Sequence, residues 1–186
     1  MGERPGRRPD SGGRSTVFGT YGVVACEHSS AALTGIRILD DGGNVVDPCV
    51  AMAASMAALA PGKRPLNTII PSLAARADEL WATFGVMGGS MQPQGHVQLL
   101  SDLIDHDMSP QEAVDHPRHR HEDNALLVEG RVPETEVRKL RELGHKVEVG
   151  ADYMVPAGSA QVIRVLQNGV RAGGSDPRKD GCALAQ

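Results

Sequence analysis

The chain has 186 residues, of which 40% are apolar, 3% aromatic and 23% charged, with a formal net charge of −4. That length supplies one ordinary domain whose core must be built from Leu, Val, Ile, Met and Ala, and the acidic balance gives no electrostatic case for nucleic acid. No apolar run reaches the length of a bilayer span, and the three cysteines, Cys26, Cys49 and Cys182, are scattered without a CxxC pair, which argues against a disulfide framework and for a reducing compartment.

Residues 1–16, rich in Gly, Pro, Arg and Ser, read as a disordered tail. They lack the apolar stretch of a signal peptide, so the expected location is cytoplasmic. Residues 17–186 read as a single domain. "YGVVACEH" predicts a short buried strand. Ser29 or Ser30 is expected to cap a helix with Ala32, Leu33, Ile36 and Leu39 on its apolar face, stopped by Gly42-Gly43. In "NVVDPCVAMAASMAALAPG", Asp47 is the expected N-cap and Pro48 the first helical residue. The helix that follows is apolar or small on every side and is expected to be buried all round, until Pro61-Gly62 ends it.

"IIPSLAARADELWATFGVM" predicts two strands joined by a turn at 76–79. Residues 92–106 are expected to be helical, with Val97, Leu100, Leu103 and Ile104 on one face. Ser109, Pro110 and Glu112 fit a capping box at the head of a second helix. "ALLVEG" predicts a strand, residues 133–143 a helix closed by Gly144, and "HKVEV" another strand. "AQVIRVLQNGVRAGGSDPR" predicts a hairpin turning at Asn168-Gly169. Helices interspersed with hairpin-paired strands imply an α+β fold or a layered sandwich rather than a doubly wound sheet.

Several groupings bear on chemistry. Gly88-Gly89 stands where a strand passes into a helix, and is either an anion or oxyanion site made of backbone amides or a tight turn where a side chain would clash. In "GKRPLNTIIP", the cations Lys63 and Arg64 and the donors Asn67 and Thr68 either hold a substrate carboxylate or belong to a solvated loop. His116, His119 and His121 in "DHPRHRHEDN" straddle a proline, so their spacing favours a polar helix exit on the surface over a metal site. Cys26 and His28 share one face of a strand, but a cysteine in a buried strand is more often a small core residue than a nucleophile. "GGSDPRKDG" is a turn-rich loop.

Taken together, these stretches resemble the gamma-glutamyltransferases, also called gamma-glutamyltranspeptidases or glutathione hydrolases. Residues 17–61 are similar to the start of that family's large subunit, through the GxVA strand, the GGN turn and the small-residue helix ending in proline. Residues 62–186 are similar to the end of its small subunit, through "GKRPLNTIIPSL", "FGVMGGSMQPQGH", "LGHKVEV" and "GSDPRKDG". The "GGxMQPQGH" form is similar to the bacterial acylase-like branch. The resemblance implies an N-terminal nucleophile hydrolase, an αββα sandwich in which a threonine freed by self-cleavage takes up the acyl group of glutathione or a related amide and passes it to water or an amine. It implies no metal or organic cofactor. By position, the oxyanion-hole glycines are Gly88 and Gly89, and the residues that bind the substrate carboxylate are Asn67 and Thr68, in place of a serine pair. The family's middle segment, with its threonine nucleophile, has no counterpart here. Thr16, Thr20, Thr34, Thr68, Thr83 and Thr135 all lie outside the nucleophile's motif. The resemblance therefore implies a truncated chain that is inactive alone and needs a complementing chain or self-association. The alternative is a non-enzymatic remnant that binds a small carboxylate or amide, or the product of a deleted or mis-joined gene.

Overall fold

The computed structural model describes residues 14–44, 46–56 and 70–186. Ten strands and five helices follow one another along them: β1 (Val17–Gly19), β2 (Val23–Cys26), α1 (Ser29–Asp40), α2 (Val46–Met56), β3 (Ser72–Arg76), β4 (Glu79–Met87), α3 (Met91–Ile104), α4 (Pro110–Asp115), β5 (His119–Glu122), β6 (Ala125–Val128), α5 (Glu134–Glu142), β7 (Val147–Val149), β8 (Ser159–Val165), β9 (Arg171–Ser175) and β10 (Cys182–Ala185). The central sheet is antiparallel, in the order β1-β9-β8-β4-β3. A two-stranded sheet pairs β10 with β2, and a small sheet holds β5-β6-β7. Among the described residues, no helix is long and apolar enough to cross a membrane.

The alternation of apolar residues along β4 and β8 decides how the layers stack. Ala82, Phe84, Val86, Ala160 and Val162 turn to one face of the central sheet and pack with Leu99, Leu103, Ala113 and Val114 of α3 and α4. On the opposite face, Gly173 lets the second sheet approach: a Cβ there would lie 2.6 Å from Val23. Beyond that sheet, Val24, Cys26, Cys182 and Leu184 pack on Ala31, Ala32, Ile36 and Leu39 of α1 and on Met52 of α2. The result is helix, sheet, sheet, helix, the αββα order that the resemblance implies. A satellite core of Val128, Val137 and Val147 seats α5 on β6 and β7.

Several elements differ from expectation for identifiable reasons. The helix α1 is capped by His28, whose Nδ1 accepts from the Ser30 N–H at 3.3 Å, so neither Ser29 nor Ser30 is the cap. Leu33 is exposed; the buried face of α1 runs through Ala31, Ala32 and Gly35. Ahead of α2, the Asn44 side chain accepts from Val46 N–H at 2.8 Å and the Asp47 carboxylate accepts from Asn44 N–H at 2.9 Å; Asp47, the expected N-cap, lies inside the helix. That helix is not buried all round, since Val46 and Val50 are 60% and 62% exposed. Among the described residues only α1 packs broadly on it. The buried stripe of α3 runs through Met91, Gly95, Leu99 and Leu103, leaving Val97 69% exposed. Gly95 sets that rotation, because a Cβ there would be 2.6 Å from Val86. The histidine-rich run forms strand β5 of a hairpin whose turn residues, Asp123 and Asn124, have φ of 49° and 59°, a conformation these short polar side chains tolerate. Strand β10 has no counterpart among the expected elements.

A buried ion network joins elements remote in sequence. Arg178 hydrogen-bonds Glu129 through Nε at 2.7 Å and through Nη2, and ion-pairs with Asp176 at 3.0 Å. Asp176 in turn pairs with Arg118 at 2.8 Å and accepts from the Ala160 N–H at 2.8 Å. Glu129 also accepts from the N–H groups of Arg118 and Met154, at 3.0 and 2.9 Å, and from Arg131 at 2.8 Å. Spare guanidinium donors go to the carbonyls of Val114, His116 and Gly158. The four side chains Arg118, Glu129, Asp176 and Arg178 are all buried, and their charges cancel. Such a network holds only when nearly every donor and acceptor is matched, as here. Burial by itself would raise the Glu129 carboxyl. The hydrogen bonds and charge of Arg178, with the two backbone donors, outweigh it and hold that carboxyl below the ordinary carboxylate range. For Arg118 burial prevails over Asp176 and lowers its guanidinium from the usual value.

Two stability measurements check this account. The capping box at α4 is complete, with Glu112 N–H on Ser109 Oγ at 3.4 Å and Ser109 N–H on the Glu112 carboxylate at 2.8 Å. S109A is expected to lower stability by about 1 kcal/mol, read as a lower urea midpoint at unchanged slope. Because the folded Glu129 carboxyl titrates below its unfolded value of about 4.3, its stabilisation is fully present above that pH and is lost as pH falls through the folded value. E129Q should cost on the order of 3 kcal/mol at neutral pH and flatten the acid limb of the stability profile.

Candidate functional site

The turn from β4 into α3 carries the candidate site. Gly88 and Gly89 have φ of +127° and +61°, values that L side chains rarely adopt. Gly88 is also sterically required: a Cβ there would sit 3.0 Å from Met91 Cβ and 3.3 Å from Gly158 Cα. Gly89 is different. Nothing lies within 4 Å of where its Cβ would be, so the backbone at Gly89 is open to approach. The two carbonyls start the helix, Gly88 accepting from Met91 N–H and Gly89 from Gln92 N–H, each at 3.1 Å. Among the described residues, neither glycine donates its own N–H to a backbone carbonyl.

The surroundings favour negative charge at this turn. The 14-residue α3 points its N-terminus here, and its N-cap Ser90 makes no side-chain cap bond. Instead Ser90 Oγ accepts from Arg120 Nη2 at 3.1 Å. Arg120 also reaches the Pro156 carbonyl at 3.2 Å and ion-pairs with Glu122. The turn is backed by Gly158, whose φ is +78° and whose Cβ would be 2.5 Å from the Met87 carbonyl. The Gly158 carbonyl accepts from Arg118 at 3.3 Å, so the buried ion network bears directly on the segment that shapes the glycine turn.

Ser159 and Gln161 are functional candidates that sequence reasoning missed. They pair with Met87 and Gly85 of β4 and turn to the face opposite α3 and α4. Ser159 Oγ and both polar atoms of the Gln161 amide are buried with no hydrogen-bond partner among the described residues. Unmatched buried groups are rare because each costs its desolvation energy. The available signal was the alternation of Ser159 and Gln161 with apolar Ala160 and Val162.

The remaining candidates do not join this site. Asn67 and Thr68, with Lys63 and Arg64, lie outside the described residues. His116 pairs with Asp102 at 3.0 Å, while His119 and His121 lie along β5, and no group of three or more potential metal ligands occurs among the described residues. Burial lowers the His119 imidazole from its ordinary value. His28 is engaged at the α1 cap and Cys26 sits in the core with Ala31 and Ala32, which leaves the pair without a nucleophile's setting. The 173–181 segment, expected as a turn-rich loop, begins in β9 and supplies Asp176 and Arg178 to the buried network.

The chain is similar to known proteins over most of its length. Residues 54–186 match the family model described as gamma-glutamyltranspeptidase. Over 132 residues the chain is 36% identical to the Glutathione hydrolase-like YwrD proenzyme of Bacillus subtilis (strain 168), covering 68% of this chain and 25% of that protein. The structure of cephalosporin acylase from Bacillus halodurans aligns with a TM-score of 0.61 and 41% identity, over 69% of this chain and 24% of that one. The Helicobacter pylori gamma-glutamyltranspeptidase T380A mutant aligns with a TM-score of 0.55 and 27% identity, over 65% of this chain and 66% of the matched chain. This chain thus spans about a quarter of the curated relative. With the αββα layering and a family match across most of its length, the chain belongs to the gamma-glutamyltranspeptidase family.

Proposed function

We propose that this chain carries the oxyanion-stabilising part of an acyl-transfer site acting on a gamma-glutamyl compound such as glutathione, or on another small acyl amide. The observation that carries this reading is the Gly88-Gly89 turn, with backbone open to approach at a helix N-terminus. A threonine hydroxyl adds to the amide carbon, and the carbonyl oxygen becomes anionic. The N–H groups of Gly88 and Gly89 donate to it, and the amine leaves with a proton. Water or a second amine then takes the acyl group. Nothing in this sequence calls for a cofactor. None of the six threonines sits in the family's nucleophile motif, so the nucleophile comes from a complementing polypeptide and the 186-residue chain alone is inactive. The exposed apolar residues of α2, Val46 and Val50, and Leu73 on the edge strand β3, 75% exposed, support a further chain covering these surfaces. The similarity to both a glutathione hydrolase-like proenzyme and a cephalosporin acylase supports an acyl specificity that is not confined to glutamyl groups.

The purified chain is expected to show no hydrolysis of a gamma-glutamyl anilide. Co-expression with a polypeptide bearing the family's nucleophile is expected to produce turnover. Steady turnover by the pure chain would overturn the complementation reading. In the complemented enzyme, G89A must relieve its strained φ by tilting the peptide, and should lower kcat by roughly 10²-fold. G89N, which tolerates the left-handed region, should retain most of the activity.

The Ser159 and Gln161 atoms that are buried without a partner among the described residues favour a second reading, a module that binds a small carboxylate or amide without turnover. Calorimetric titration with glutamate and glutathione separates the two: binding by the pure chain that is lost in Q161L supports the module, and no heat at millimolar ligand removes it.

A further inference from the structure

Cys26 and Cys182 stand far apart in sequence, yet the pairing of β2 with β10 sets them directly opposite each other. Opposed residues on an antiparallel ladder have Cα atoms about 4.5 or 5.5 Å apart, depending on the pair class, and their side chains share a face. Both distances fall within the roughly 4.4–6.8 Å that a disulfide spans. The two side chains do share surroundings, since Cys182 packs against the same cluster that buries Cys26, with Ala31, Ala32 and Leu184. The backbones also close tightly at this end of the ladder: a Cβ on Gly181 would lie 2.1 Å from the Cys26 carbonyl oxygen. Both residues are thiols in the structure, and the third cysteine, Cys49, lies exposed on α2.

We propose that Cys26 and Cys182 form a reversible cross-strand disulfide that fastens β10 to β2. With a small-molecule disulfide as oxidant, the more exposed Cys182 thiolate attacks one oxidant sulfur and releases the first thiol. The Cys26 thiolate then attacks Cys182 Sγ, forming the protein disulfide and releasing the second thiol. Two electrons pass to the oxidant, and the two protein protons end on its two thiols. The bond closes a loop over most of the chain and tethers the far end of the segment that carries Asp176 and Arg178. Oxidation therefore locks β2 and β10 together as the sheet on which α1 packs. Reduction leaves that sheet held by hydrogen bonds and packing alone.

The test is oxidation of the 186-residue chain with hydroxyethyl disulfide, in native buffer and in concentrated urea, followed by non-reducing peptide mass mapping. In urea, loop-closure entropy favours the short Cys26–Cys49 link. In native buffer the register requires Cys26–Cys182, seen as linked peptides lighter by two hydrogens. Oxidation should also raise the thermal midpoint, reversibly with dithiothreitol, and C182S should abolish the shift. C49S removes an exposed competitor and should leave the native link intact, forming roughly tenfold or more faster than in urea. Native-buffer products limited to Cys26–Cys49, to intermolecular Cys49 dimers or to mixed disulfides would overturn the proposal, as would equal rates of Cys26–Cys182 linkage in the two solvents.

Discussion

The Arg178 guanidinium, buried between Glu129 and Asp176, is the interaction on which the rest of the structure depends. It joins the segment after β9 to the end of β6 and, through Asp176 and Arg118, to the exit of α4 and the start of β8. All four of these charged groups are buried, so each must be matched by the others or by backbone. Breaking one match strands an ion in the interior. The network therefore specifies one arrangement of segments that apolar packing alone would leave free to slide.

That constraint reaches the candidate site through Gly158. Arg118 fixes the Gly158 carbonyl, Gly158 abuts Gly88, and Gly88 sets the direction in which the chain enters α3. A backbone amide stabilises a developing anion only if it is aimed before the charge appears, since realignment during reaction would cost the energy gained. The charged interior and the neutral glycine turn are thus parts of one rigid support. Packing makes the same point at Gly95, where contact with Val86 fixes the rotation of α3 beneath the turn. On the other side of the molecule, α2 rests broadly only on α1 among the described residues, and Val46 and Val50 on it stay exposed.

Much of this was legible in the residues. The 72–87 hairpin, the capping box at Ser109, the helix closed by Gly144 and the Asn168-Gly169 turn all stand as expected, because each depends on contacts within a few residues. The glycine pair was recognisable at a strand-to-helix junction, and its left-handed φ values follow from residue type. What was not legible depends on partners distant in sequence. Arg118 read as one cation in a polar surface run, and Asp176 and Arg178 as loop residues, because nothing local announces that a charge will meet its counterion. The helical period identified α3, but a helix has several nearly apolar stripes, and only β4 selects which one is buried.

The sequence by itself determined the local geometry: the periods of 2 and 3.6, the caps, the tight turns, and the positions where only glycine fits. It also carried the family's motifs in order, since each is a short run of residues. The tertiary structure alone decided which charges are buried together, that Ser159 and Gln161 face the sheet surface beside the glycine turn, and that Cys26 lies opposite Cys182. The physical reason is range. Backbone sterics and capping act across a few residues and are written in composition, whereas pairing of ions, strands and thiols is a matter of distance in space, which sequence separation does not encode.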